Sequence, residues 1–215
     1  MEKLQFNRPG ELSVELVQMT PMIHFQATEK GATLRATEVK PKLDRYLIHA
    51  AFHDSKAEYG KYLVGRDPKN DEDNAALDYR LVVVADSGDF ESPIDLVIKS
   101  QRTDRNGRTK TITTFTGALW DSEKIVQGSM LKRGKTIRLI FRSKHTDLIK
   151  IIGEWIDAFF AGENFGQRQS KGFGSFLTWD SSQSLSACLD AFEKHIRQSL
   201  WKIPESEGFL DGDNQ

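Results

Sequence analysis

Seven large apolar side chains, Leu148, Ile151, Ile152, Trp155, Ile156, Phe159 and Phe160, recur at steps of three and four in "HTDLIKIIGEWIDAFFAG". Coiled into a helix they form one wide stripe, which is stable only against a broad apolar surface. The rest of the chain offers that surface as a sheet. In "LSVELVQM" (12–19) Leu12, Val14 and Leu16 share one face of a period-two segment, and in "TIRLIFRS" (136–143) Ile137, Leu139 and Phe141 alternate with Arg138 and Arg142. "LDYRLVVVAD" (77–86) is rich in β-branched residues and "SFLTWD" (175–180) is short and apolar, so both read as further strands. "KPKLDRYLIHAAFH" has Pro41 suited to a helix first turn and Leu43, Tyr46, Leu47 and Ala50 at helical spacing. The order is strand, helix, strand, strand, helix, strand, that of a ferredoxin-like (RRM-like) α+β fold.

Two additions enlarge this core. "PIDLVIK" and "TKTITTFTG" predict extra strands of an enlarged middle hairpin, with reversals at Asp86 to Gly88 and at Asn106–Gly107. "SLSACLDAFEKHIRQSL" predicts a closing amphipathic helix through Leu185, Cys188, Leu189, Phe192 and Ile196, followed by an acidic tail. At 215 residues the chain suits one large domain or one domain with long insertions. Cys188 is the only cysteine, which excludes an intrachain disulfide and a cysteine-based zinc site. No apolar stretch reaches 18 residues, so no membrane partner is expected, and a reducing, cytoplasmic setting fits best.

"GENFGQRQSKGFGSF" (162–176) then places four glycines and two cations between the striped helix and the last strand. Phosphate loops of nucleotide-hydrolysing enzymes run strand, loop, helix, whereas this one runs helix, loop, strand and lacks their glycine spacing. Gly162 alone suits an ordinary helix terminus. Gly166, Gly172 and Gly174 around Arg168, Ser170 and Lys171 instead gather backbone N–H groups, a hydroxyl and two positive charges, the groups that hold phosphate.

This stretch resembles the C-terminal glycine-rich loop of the CRISPR-associated RAMP superfamily. The shared pattern is glycine, glycine, a basic residue, then Gly-Phe-Gly before the last strand. A weaker similarity lies in "TPMIHFQATEKGATLRATEVKPKLDRYL", where a strand ending in Thr-Pro leads through a basic segment into the first helix. At the helix entry, where many members carry a glycine, this chain has Lys40–Pro41–Lys42. The resemblance implies one RAMP-like RNA-binding domain over residues 1–200, with a β-rich basic insertion at 55–135 and a tail at 201–215. It also implies that the chain binds single-stranded RNA, either CRISPR RNA or its target, alongside other CRISPR-associated subunits in antiviral defence. The expected RNA contacts are Gly166, Arg168, Ser170, Lys171, Gly172, Phe173 and Gly174 in the loop, with Arg35, Lys40, Lys42 and Arg45 near the first helix and Arg138 and Arg142 on a strand. No cofactor or metal is implied.

The net charge is −1, so any RNA surface must be local. From Lys99 to Lys144 twelve basic residues stand against Asp104, Asp121 and Glu123, an excess of nine in sequence. Phe173, between two glycines, is the best candidate to stack on a base; Phe115 and Trp120 are others. Two alternatives stay open. His24, next to the first strand, is the candidate general base for a standalone metal-independent endoribonuclease that processes CRISPR precursor RNA, with Arg35 or Lys171 stabilising charge. A second alternative is an assembly adapter whose glycine loop is purely structural. His49 and His53, spaced by four, lack a third ligand in sequence and read as a solvated helix face.

Overall fold

The computed structural model describes residues 4–23, 34–65, 76–91, 94–95, 97–103, 107–115 and 127–200. The elements, in chain order, are β1 (Leu4–Arg8), β2 (Glu11–Gln18), α1 (Ala36–Ala50), α2 (Lys56–Tyr59), β3 (Arg80–Val84), β4 (Ile94–Asp95), β5 (Val97–Thr103), β6 (Thr109–Phe115), β7 (Gln127–Gly128), β8 (Ile137–Arg142), α3 (Thr146–Gly162), β9 (Phe176–Thr178) and α4 (Leu185–Leu200).

The central sheet is antiparallel. β2 pairs with β8, β8 with β3, and the second half of β2 pairs with β9 along its other edge. The spatial order β9, β2, β8, β3 is that of a ferredoxin-like core, with two helices on one face. β1, which the sequence reading lacks, forms a hairpin with the first half of β2 and occupies the edge that the short β9 leaves open. The enlarged middle hairpin takes the form of two separate pairs, β5 with β6 and β4 with β7.

Alternation decides which face is the core. Leu12, Val14 and Leu16 of β2 and Ile137, Leu139 and Phe141 of β8 are buried together with Val39, Leu43 and Leu47 of α1. The α3 stripe closes over them through Leu148, Ile152, Ile156, Phe159 and Phe160, while Ile151 and Trp155 lie at its margin. Each such side chain stabilises the fold by about 1.5–3 kcal/mol relative to exposure, so this layer supplies much of the driving force. α1 begins at Ala36, four residues before the expected Lys40, because Arg35 is already extended and Pro41 is tolerated inside the helix. The opposite sheet face presents Arg80, Val84, Arg138 and Arg142, all exposed.

α4 docks on α3 through its small residues, where Ala191 and Cys188 meet Ala161 and Leu177. Apart from Cys188, the side the sequence marks as apolar points outward: Leu185, Leu189, Phe192 and Ile196 are all exposed. No helix among the described residues is long and apolar enough to cross a membrane.

Candidate RNA-binding loop

The glycine loop has a buried stem and an exposed tip. Phe165 is its anchor, fully buried, with its ring 5.6 Å from that of Phe160 and 6.0 Å from those of Phe159 and Phe176. Burying that ring forces the chain to turn sharply on either side, and glycine supplies the turns. Gly166 (φ 79°) lies against the carbonyl of Ile23, and Gly174 (φ 70°) lies against that of Phe165, so closely that a Cβ at either would overlap the oxygen. Gly172 (φ 81°) has open space around its missing Cβ.

The segment after β2 closes the stem. Thr20 Oγ1 donates to the Gly172 carbonyl at 2.7 Å and accepts from the Ser175 N–H at 3.0 Å. The carbonyl of Pro21 accepts from Gly174 N–H at 2.9 Å, and that of Ile23 from Gln167 N–H at 2.8 Å. Thr-Pro and the glycine loop are therefore one structural unit, although they lie some 150 residues apart. The signal was present in the sequence, but it read only as the end of a strand.

From the other side Lys42 reaches in from α1. Its ammonium donates to Glu163 Oε2 at 2.9 Å, the Asn164 carbonyl at 2.7 Å and Gln169 Oε1 at 2.7 Å. Three donors are all that an ammonium has, so Lys42 positions the loop. Lys40 is likewise committed, to Asp44 at 2.8 Å, to the Leu77 carbonyl at 2.8 Å and to the face of the Tyr79 ring at 3.9 Å. Burial raises the Asp44 carboxyl above its ordinary range, and Lys40 opposes that shift. Burial raises Tyr79 further still.

What remains outward is the tip. Arg168 sits in the left-handed region at φ 60° and opens a short 3-10 turn over Gln169–Lys171. Ser170, Lys171 and Gly172 are exposed and Phe173 is half-buried. Lys171 N–H and Gly172 N–H are spent inside the turn, on the carbonyls of Arg168 and Gln169. Those of Ser170 and Phe173 have no acceptor among the described residues. The tip thus offers two amides, a hydroxyl, the Lys171 ammonium and an aromatic edge on a fixed base, with the Arg168 charge beside them.

The other expected contacts lie apart. Arg35, directly before α1, and Arg45 on it are exposed. Arg138 is tied to Glu15 at 2.7 Å and Arg142 to Glu11 at 2.6 Å. Phe115 ends β6, and Trp120 and His24 lie outside the described residues, although Ile23, directly before His24, is buried against the loop. His49 bonds Asp54 at 3.1 Å beyond the end of α1. His195, isolated in sequence, stacks on Tyr46 at 5.7 Å and lies over Gly162, where any Cβ would overlap its imidazole. Burial, and secondarily the charge of Glu163, pushes the Tyr46 hydroxyl well above its ordinary range.

Comparison with family models now narrows the resemblance. The model described as Cmr1 N-terminal domain matches residues 10–208. The chain belongs to this family. A search of curated proteins returned no match. Among solved structures, the chain is similar to a subunit in "Cryo-EM structure of the Type III-B Cmr-beta bound to cognate target RNA", at 14% identity and a TM-score of 0.46, covering 78% of this chain and 58% of that one.

Proposed function

We propose that this member of the Cmr1 N-terminal domain family is an RNA-binding subunit of a type III CRISPR ribonucleoprotein, holding guide or target RNA at the tip of the glycine loop. The observation that carries this reading is the division of the loop into a locked stem and a cationic tip. A phosphate seated there accepts from the Ser170 and Phe173 amides and the Ser170 hydroxyl while Arg168 and Lys171 neutralise it. Phe173 supplies a ring for the adjoining base. Preorganisation lowers the ordering cost of binding, so few contacts suffice.

Binding of oligouridine to the full chain, measured by fluorescence anisotropy against salt in EDTA, tests this. Lys171→Ala should weaken binding about three- to tenfold and reduce the slope of log K against log[salt] by about 0.7, the loss of one single-strand phosphate contact. Phe173→Ala should weaken binding by about 1–3 kcal/mol without changing the slope. RNA cleaved in EDTA, and spared by His24→Ala, would favour the nuclease reading instead. If the wild-type chain binds no RNA at low salt, the adapter reading takes over. One observation already favours a protein contact: Leu185, Leu189, Phe192 and Ile196 line one exposed side of α4. We assign that side to a neighbouring subunit of the same complex.

A further inference from the structure

At the end of β2 remote from Thr20, one row of residues crosses four strands. Arg80 on β3 opposes Arg142 on β8, Arg142 opposes Glu11 on β2, and Glu11 opposes Arg8 on β1. The row lies on the sheet face away from the helices, since its neighbours Leu81, Phe141 and Leu12 are buried in the core. The buried carboxylate of Glu11 receives Arg142 Nε at 2.6 Å and Arg8 Nε at 3.1 Å. It therefore orients both guanidiniums by their inner edges. Arg80 is exposed and has no acidic partner among the described residues. Lys144, held by Asp78 at 2.7 Å, adds a further cation beside an open groove of about 440 Å³ lined by Arg8, Gly10, Glu11, Arg142 and Ser143.

Two arginines directly opposite each other across a strand pair repel. Elsewhere on this face the sheet avoids that arrangement, setting Glu15 opposite Arg138. An anion would relieve the surplus of positive charge in the row, and planar guanidinium edges match phosphate oxygens in pairs. The next row inward, Val82, Ile140 and Ser13, has no aromatic anchor on which a protein partner would seat.

We propose that the arginine row is a second contact for the phosphodiester backbone of single-stranded RNA. For its ligand it rests on the RNA-binding reading above, but it uses none of the loop residues. β2, which runs from the row at Glu11 toward the loop, is about 23 Å long, so a long oligonucleotide touches both sites and a short one touches either.

The test uses the full chain with labelled oligouridine of about 15 and about 3 nucleotides, within and below the site sizes typical of single-strand binders. The double variant Arg80→Gln/Arg8→Gln should bind the longer RNA about five- to tenfold more weakly. Its salt slope should fall by about 1.4, and the short RNA should bind with little change. Arg80→Gln alone should weaken the longer RNA without lowering the melting temperature, because it removes a repulsion; a purely structural arginine would lower it. Unchanged binding in the double variant while Lys171→Ala weakens it would overturn the row and leave the loop reading standing. The reverse result would keep the row and overturn the loop, and two null results would overturn both. Oligoglutamate bound as tightly as RNA, and lost in the same variants, would also overturn the proposal by reassigning the row to an acidic peptide.

Discussion

Gly172 and Gly174 differ by two positions and share a positive φ, yet their side-chain-free carbons do different things. At Gly174 a Cβ meets the Phe165 carbonyl, a backbone atom that cannot yield without unseating the buried ring. At Gly172 a Cβ meets nothing. Gly174→Ala should therefore cost about 3 kcal/mol or more and dissolve the stem, whereas Gly172→Ala should cost only the left-handed strain of about 1–2 kcal/mol. Urea denaturation of the two variants measures the difference, and equal losses would refute the division into stem and tip. The sequence showed that the loop needed glycine. Which glycines serve packing and which leave the tip open was not legible, because Ile23 comes to Gly166 from a distant segment and the loop folds back on itself to set Gly174 against Phe165.

Between elements, the contact that positions α4 rests on a missing methyl group. Gly162 closes α3, and the imidazole of His195 occupies the space a side chain would take, stacked on Tyr46 of α1. Lys194 reinforces the junction over the Trp155 ring at 3.9 Å and to the Glu154 carbonyl at 2.8 Å. Gly162→Ala should force His195 out and release α4, raising amide exchange across 185–197 by about tenfold while the β2 and β8 amides stay protected. Uniform exchange across the molecule would argue against this local role. The helical spacing of α4 was plain in the sequence, but it pointed to Leu185, Cys188, Leu189, Phe192 and Ile196 as the packed side, and of those Cys188 is the one that packs. α3 offers Ala161 and Gly162 at the crossing, and so close an approach selects Ala191 and His195 beside Cys188 in place of the larger apolar residues.

At the scale of the whole molecule, part of the charge that is segregated along the chain is mixed in space among the described residues. Lys135, Arg138, Arg142 and Lys144, all from the basic stretch, pair with Asp89, Glu15, Glu11 and Asp78 from outside it. Two of the ion pairs, Lys144–Asp78 and Lys40–Asp44, set opposite dependences on pH. The Asp78 carboxyl is held below its ordinary value, chiefly by its hydrogen bond from Lys144. Its contribution is full above the unfolded pKa of about 4 and is lost as pH falls through the lower folded value. Asp44, raised by burial, runs the other way: its contribution is full below about 4 and is lost as pH rises through its folded pKa. Relative to wild type, Asp44→Asn should gain stability between about pH 3 and 7 and Asp78→Asn should lose it, the latter by only a few tenths of a kcal/mol because the pair is exposed. Urea titrations across that range give both slopes, and slopes of the same sign would refute the assignment.

The period-two strands, the α3 stripe and the order in which they follow one another are consequences of local spacing, and spacing is a property of sequence. They were enough to specify a ferredoxin-like sheet with helices on one face and to pick out the glycine loop. Tertiary structure alone decided that Thr20 and Pro21 close that loop, that Lys42 is consumed in bracing it, and that Arg80, Arg142 and Arg8 share a row around Glu11. Each of these depends on register or on a long-range approach between backbones, and neither quantity is encoded in the neighbourhood of any one residue.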